Sequence, residues 1–232
     1  MSAVMQSSNE PLLLRSDDQG VTTLTLNRAS QFNSLSDGLI DALQAALDAI
    51  ATDTSVRVVV LAGAGKAFCA GHDLKEMRAE PSQGYYERLF AHCARMMLAI
   101  QKLPLPVIAR VHGTATAAGC QLVAMCDLAV ASSDARFAVS GVNLGLFCST
   151  PSVALSRNLG RKAAFEMLVT GDFISAEEAK AKGLVNRVAA PDALDAEVER
   201  LVASIVAKPS VAIAAGKGLF YRQLEKPIEA AY

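Results

Sequence analysis

The sequence predicts an α/β protein, and three observations carry the prediction. Four runs rich in β-branched and other apolar residues, at 21–27, 56–62, 107–111 and 128–131, punctuate the first part of the chain. Between them, apolar residues recur at the 3.6-residue period of a helix. The run VRVVVLA at 56–62 is almost continuously apolar, as a strand covered on both faces must be, and parallel sheets require such strands. The order β-α-β-α-β-α-β, with right-handed crossovers, gives α/β rather than α+β.

In chain order, Leu24 and Leu26 alternate with Thr23 and Thr25 in the first strand. Ser36 is placed to cap a helix in which Leu39, Ile40, Leu43, Leu47 and Ile50 form one apolar stripe, leaving Asp41, Gln44 and Asp48 toward water. A glycine-containing stretch, Gly63 to Gly71, follows the second strand. A further helix runs through Tyr85, Leu89, Cys93, Met96 and Ile100 and stops before Pro104 and Pro106. After the strand at 107–111, a short helix at 118–126 leads to the strand at 128–131. Beyond Pro151 the periodicity predicts helices at 162–169, 175–182 and 193–206, the second opened by the capping-box pattern Ser175-Ala-Glu-Glu178. Residues 219–232 also read as helical and end without a C-cap. With no repeat, low-complexity segment or linker, residues 1–232 read as one domain. Its core spans about 20–160 and its helical region about 161–232, the latter apparently incomplete at the C-terminus.

The composition excludes several function classes. Lys and Arg total 22 against 23 Asp and Glu, a net charge of −1, and 52% of the 232 residues are apolar. No global field draws phosphate backbones or anionic lipid, so nucleic acid and membrane are not expected partners. Cys69, Cys93, Cys120, Cys126 and Cys148 are odd in number, lack C-x-x-C spacing and lie in apolar surroundings, which excludes a disulfide framework and a zinc knuckle. With no basic, then apolar, leader in the first twenty residues, the expected location is cytoplasmic.

Several constellations fail on their own terms. Gly63-Ala-Gly65-Lys66 lacks the glycine and hydroxyl positions of a phosphate loop, because Val60 and Ala67 stand there. His72, His92 and His112 are too scattered for metal ligation, and no metal is expected. His92 reads as structural. His112 follows a strand, where either an active-site or an interior histidine could sit. Cys148 and Ser149 are nucleophile candidates without a recognisable elbow or base. Two turns after buried strands are more informative: FCAGHDL at 68–74 and GTATAAGCQ at 113–121. Each could present free backbone N–H groups at the carboxyl edge of a sheet, the second at a helix N-terminus, and two such donors converging on one carbonyl make an oxyanion hole.

At these residues the sequence resembles the crotonase (enoyl-CoA hydratase/isomerase) superfamily. KAFCAGHDLKEM at 66–77, GCQLVAMCDL at 119–128, and TGDFISAEEA at 170–179 with GLV at 183–185 resemble family segments in the family's order. The resemblance implies a ClpP/crotonase-like spiral of ββα units with a helical C-terminal trimerisation region, assembled as a homotrimer or hexamer. It also implies that the ligand is an acyl-CoA thioester, with no separate cofactor. By position, the backbone N–H groups of His72 and Ala118 would hold the thioester oxygen, and His72, Asp73, Leu74 and Lys75 would lie along the bound CoA. The His72 side chain need play no part.

The sequence departs from the family at the acid–base pair. Two glutamates that serve hydratases of the family correspond here to Gln121 and Gly141, and neither can act as a general base. No Asp or Glu occurs from Leu103 to Cys126 or from Arg136 to Phe165. A second departure is Ala117-Ala118, where many relatives have glycines. The replacements resemble those of the enoyl-CoA hydratase domain-containing branch.

Three readings follow. The first is a lyase- or isomerase-type enzyme of fatty acid metabolism that uses the His72/Ala118 oxyanion hole, with polar groups such as Gln121, Asn143 and Ser149 replacing the glutamates. On that reading Ala118→Pro abolishes turnover, and Gln121→Glu with Gly141→Glu raises hydration if the loops keep family geometry. The second is a non-catalytic acyl-CoA-binding or scaffold protein. The third is a thioester hydrolase using Cys148 or Ser149.

Overall fold

The computed structural model describes residues 10–232. Its strands form a six-stranded and a four-stranded sheet. The chain enters through β1 (Leu13–Asp18), which pairs antiparallel with β2 (Val21–Leu26). The turn between them holds Gln19 and Gly20 at φ 46° and 83°, the left-handed values of a tight hairpin. Strand β1 was not visible in the sequence because its face is polar: five of its six residues are exposed, so no apolar alternation marks it.

From β2 the chain passes to α1 (Asp37–Thr52), capped as expected by Ser36, whose Oγ accepts the Leu39 N–H at 3.2 Å. Three successive turns then repeat one plan. A strand enters the large sheet, a three-residue strand enters the small sheet, and the chain leaves through helix. The first turn is β3 (Val58–Gly63), β4 (Ala67–Cys69), α2 (Leu74–Ala79) and α3 (Gln83–Lys102); the second is β5 (Val107–Val111), β6 (Thr114–Thr116) and α4 (Ala118–Met125). The third is β7 (Leu128–Ser132), β8 (Arg136–Ala138) and α5 (Ser149–Asn158). This repeat agrees with the spiral of ββα units that the resemblance implies. The large sheet runs β2-β3-β5-β7 in parallel, with Val59 opposite Val107 and Ile108 opposite Leu128. The short strands β4, β6 and β8 lie beside one another and are too brief for periodicity to reveal.

The remainder is α6 (Arg161–Thr170), β9 (Ile174–Ser175), α7 (Ala176–Lys182), β10 (Arg187–Ala189), α8 (Leu194–Val206), α9 (Ser210–Leu224) and α10 (Ile228–Ala231). The capping box at Ser175 and Glu178 is present in both directions. Two strands interrupt what the sequence presents as purely helical, β9 closing the small sheet and β10 the large one. The single helix expected over 219–232 is broken, because Pro227 cannot continue α9 and instead opens α10.

Strand β3 is buried on both faces, as VRVVVLA predicts. Val59 and Leu61 join the main core with Leu39, Leu43 and Met96 from α1 and α3, while Val58 and Val60 pack with Ile108 and Val130 under Leu194 and Val198 of α8. Removing from water each such side chain contributes about 1.5–3 kcal/mol. All five cysteines are buried and free. Among the described residues no helix is long and apolar enough to cross a membrane.

Candidate functional site

The two glycine-containing turns meet. After β4, Gly71 takes φ 93° and its carbonyl accepts the Leu35 N–H at 2.7 Å, while the Asp73 N–H donates to the Leu35 carbonyl at 3.0 Å. Leu35 therefore engages both neighbours of His72 in a parallel bridge and turns the His72 N–H to the opposite side. After β6, Ala118 is the first residue of α4, so its N–H has no acceptor within the helix. A Cβ on Gly71 would lie 2.9 Å from the Ala117 Cβ and 3.3 Å from the Ala118 nitrogen, which measures how tightly the turns are pressed together. Gly119 is fixed by the same contact, since a Cβ there would lie 2.1 Å from the Cys69 carbonyl oxygen.

The alanine departure settles on one residue. Ala118 is helical, and Ala117 bears the strain with φ 50° and ψ −121°, a region that L residues seldom adopt. Its N–H donates to the Ala138 carbonyl at 3.0 Å, which helps to hold it there.

The His72 turn is braced from behind. Asp73 caps α2, its Oδ1 accepting the N–H groups of Lys75 at 2.9 Å and Glu76 at 3.4 Å, and its Oδ2 accepts Arg28 Nη2 at 2.8 Å. Burial pulls the Asp73 carboxyl up, but Arg28 and the two N–H donors outweigh it and hold the group below the usual carboxylate range. Arg28 also donates to the Ser34 carbonyl and hydroxyl.

His72, Ala118 and Gly141 share the wall of one pocket of about 140 Å³, with Leu74, Cys148 and Ser149. Of the other residues expected at the site, Asp73 is committed to its cap and ion pair, and Lys75 is exposed outside the pocket. Gln121 lies one turn into α4, buried, with its Oε1 unpartnered, and does not line the pocket. Asn143 is turned away, its Nδ2 donating to the Gly171 carbonyl at 3.5 Å. His112 Nε2 meets the Gly65 carbonyl at 2.9 Å and His92 Nε2 meets Asp41 at 3.0 Å, so both are structural.

Among the described residues no carboxylate lines the pocket. Gly141 stands where it does for lack of space, since a Cβ would lie 2.6 Å from the Leu146 carbonyl oxygen and 2.7 Å from Cys148 Sγ. Burial raises the Cys148 thiol above its ordinary value, against a Gly141 backbone hydrogen bond that lowers it, so it is protonated and a poor nucleophile at neutral pH. Sequence reasoning missed the apolar wall, with Met77, Phe90 and Phe147, because these residues come from helix and loop positions unrelated in sequence. It also set aside the His72 ring, which faces Phe90 edge-on at 5.5 Å and is pushed by burial down to about 4, with the Leu35 backbone acting the other way.

The family model described as enoyl-CoA hydratase/isomerase matches residues 16–232. The chain belongs to the enoyl-CoA hydratase/isomerase family. It is 46% identical to the enoyl-CoA hydratase domain-containing protein 3, mitochondrial, of Xenopus laevis, over 96% of this chain and 76% of that protein. The human protein of the same name is 41% identical over 98% of this chain and 75% of its own. Among solved structures, an enoyl-CoA hydratase from Mycobacterium smegmatis superposes with a TM-score of 0.95 at 71% identity, covering 96% of this chain and 87% of that one. These relatives correct the cytoplasmic expectation: five proteins at 38–46% identity carry mitochondrial in their names. Buried free thiols suit any reducing compartment, so they could not distinguish the cytosol from another.

Proposed function

We propose that this family member binds acyl-CoA thioesters, with the His72 and Ala118 N–H groups on the thioester oxygen and the 72–75 segment along the CoA. The observation that carries the reading is that two backbone donors without acceptors of their own stand in neighbouring turns at one pocket. Such donors stabilise an enolate or tetrahedral oxyanion by about 3 kcal/mol each.

The protein is not an efficient hydratase by the two-glutamate route. General acid–base groups supply about 10²–10⁴ in rate, and the described residues of the pocket wall offer no carboxylate to supply it. The missing carboxylates equally favour an acyl-CoA-binding protein without turnover. Hydrolysis through Cys148 is disfavoured by its raised pKa. Assembly as a homotrimer or hexamer, with residues 1–232 as one crotonase domain, accords with the exposure of Phe165, Phe220, Leu224 and Ile228 in the C-terminal helices.

The test is incubation with crotonyl-CoA followed by mass spectrometry of the CoA species, beside a binding titration. Binding with unchanged crotonyl-CoA is expected. Rapid hydration would overturn the proposed loss of the two-glutamate route, and absence of any binding would overturn the acyl-CoA reading.

A further inference from the structure

The Ala118 N–H is aimed by its place at the start of α4, whereas His72 lies in the turn between β4 and α2, outside both elements. The segment at 32–35 supplies the backing that this turn needs. It runs beside the turn and shares three backbone hydrogen bonds with it. Ala70 N–H donates to the Phe32 carbonyl at 3.0 Å, Leu35 N–H to the Gly71 carbonyl at 2.7 Å, and Asp73 N–H to the Leu35 carbonyl at 3.0 Å.

The middle bond is one link of a chain. A trans peptide unit is a rigid plane whose C=O and N–H point in opposite directions. Arg28 Nη1 donates to the Ser34 carbonyl, and the N–H across that plane belongs to Leu35. The Leu35 N–H donates in turn to the Gly71 carbonyl, and the N–H across this second plane belongs to His72. The guanidinium thus fixes the direction of the His72 N–H through two peptide planes in series. It also heads the chain with a charged donor, and hydrogen bonds in series strengthen one another by about 10–30% per bond.

The planar fork of Arg28 grips both sides of the bridge, since Nη2 donates to Asp73 Oδ2 at 2.8 Å while Nη1 holds Ser34. The backbone of Arg28 is itself anchored. The wholly buried Asn33 accepts the Arg28 N–H at 2.9 Å through Oδ1, and its Nδ2 donates to the Ala64 and Ala67 carbonyls at 2.8 Å each. Arg28 does not line the pocket. We propose that Arg28 is a positioning residue that aims and polarises the His72 N–H through the Ser34-Leu35 and Gly71-His72 peptide groups. This rests on the reading above of that N–H as a donor to the thioester oxygen.

The test is calorimetric titration of the whole protein with butyryl-CoA and its thioether analogue S-butyl-CoA. It is made in the unsubstituted chain, in Arg28→Lys, and in Arg28→Met with Asp73→Asn, which leaves no lone carboxylate. The two ligands share every CoA contact, so a general loosening weakens both and leaves their ratio alone. In both variants the preference for the thioester is expected to fall from about 30-fold to about 5-fold, as one of two hydrogen bonds to the carbonyl is lost. Lysine keeps a cation beside Asp73 but not the fork, so it does not restore the ratio. In isotope-edited infrared spectra, the carbonyl stretch of bound butyryl-CoA moves part of the way back toward that of the free ligand. An unchanged ratio and stretch in a folded variant would overturn the proposal while leaving the acyl-CoA reading intact. A ratio near one in the unsubstituted protein would overturn the assignment of the thioester oxygen to these donors, and the proposal with it. One check needs no variant: the Leu35 amide exchanges with deuterated water as slowly as the β3 amides, and rapid exchange would overturn the relay.

Discussion

Gly141 and Leu146 are closed upon each other. The Leu146 N–H donates to the Gly141 carbonyl at 3.0 Å, and a Cβ on Gly141 would lie 2.6 Å from the Leu146 carbonyl oxygen. The loop therefore leaves no room for a side chain at position 141. Gly141→Glu, alone or with Gln121→Glu, is expected to destabilise the fold by about 1–3 kcal/mol through overpacking and to produce no efficient crotonyl-CoA hydration. The sequence-based expectation of a gain assumed family geometry in this loop. Thermal melts and a hydration assay check the prediction, and hydration restored at hydratase-like rates with an unchanged Tm would refute it.

Ala117 holds a conformation better suited to glycine. Strain of this kind costs about 1–3 kcal/mol, and glycine's added freedom in the unfolded chain returns about 0.5–1 kcal/mol of it. Ala117→Gly is therefore expected to stabilise the protein by about 1 kcal/mol in denaturant titration. A destabilised variant would show that the alanine methyl contributes packing that outweighs its backbone strain.

The role of the two N–H donors is best tested from the ligand side. Proline at Ala118 removes the N–H at a helix position that tolerates proline, but it drives the preceding residue into extended conformation, which Ala117 at φ 50° and ψ −121° does not occupy. Loss of activity in Ala118→Pro would therefore confuse a lost donor with a lost turn. Butyryl-CoA and its thioether analogue S-butyl-CoA differ at the carbonyl oxygen. Two neutral hydrogen bonds at about 1 kcal/mol each predict roughly 30-fold weaker binding of the thioether. Equal affinity of the two would remove the thioester oxygen from the proposed donors.

Arg28 and Asp73 form an ion pair with side chains only 14% and 9% exposed. Arg28→Met leaves the carboxylate without its cation, and breaking such a pair typically costs about 3–5 kcal/mol. The sign of the pH dependence follows from the lowered folded-state pKa of Asp73. Its contribution to stability is fully present above the ordinary value of 3.8 and is lost as pH falls below it toward the folded value. Urea denaturation of Arg28→Met is expected to show lower stability at neutral pH and a shallower loss through that acid window than the unsubstituted protein. An identical acid slope in the two proteins would show that Arg28 does not set the Asp73 pKa.

How much of this could be read in the sequence depended on the length of the pattern. The stripes from Leu39 to Ile50 and from Tyr85 to Ile100, and the doubly buried 58–63 strand, carry enough residues for periodicity to speak. Strand β1 is polar, and β4, β6 and β8 have three residues each, so the second sheet was silent. The two turns were legible from their glycines and the strands preceding them. The space around Gly141 was not, because it depends on a loop folding back from Leu146 to Cys148, and the burial of the His72 ring depends on Phe90 and other distant residues.

Helix α9 has no buried apolar residue, yet Lys217 is held at its centre. Its side chain is only 7% exposed, and the ammonium donates to Asp127 at 2.7 Å and to the carbonyls of Ile100 and Leu105 at 3.1 and 2.9 Å. Tyr221 donates to the other oxygen of Asp127 at 2.7 Å. Burial lowers the Lys217 pKa, and Asp127 opposes the shift. Lys217→Met is expected to release α9, seen as faster amide hydrogen exchange at 210–224 with the α1 and β3 amides still protected. Unchanged exchange in α9 would mean that apolar contacts hold it.

Asp127 also accepts the Val107 N–H at 2.7 Å, so the carboxylate at the entry to β5 is completed by a lysine 90 residues further along the chain. Contacts of such separation require a large loop to close before they return anything. The central sheet can therefore assemble on its own apolar pairings while this anion still lacks its cation. Arrival of α9 then becomes a late event in folding, one that locks a sheet already formed rather than nucleating it.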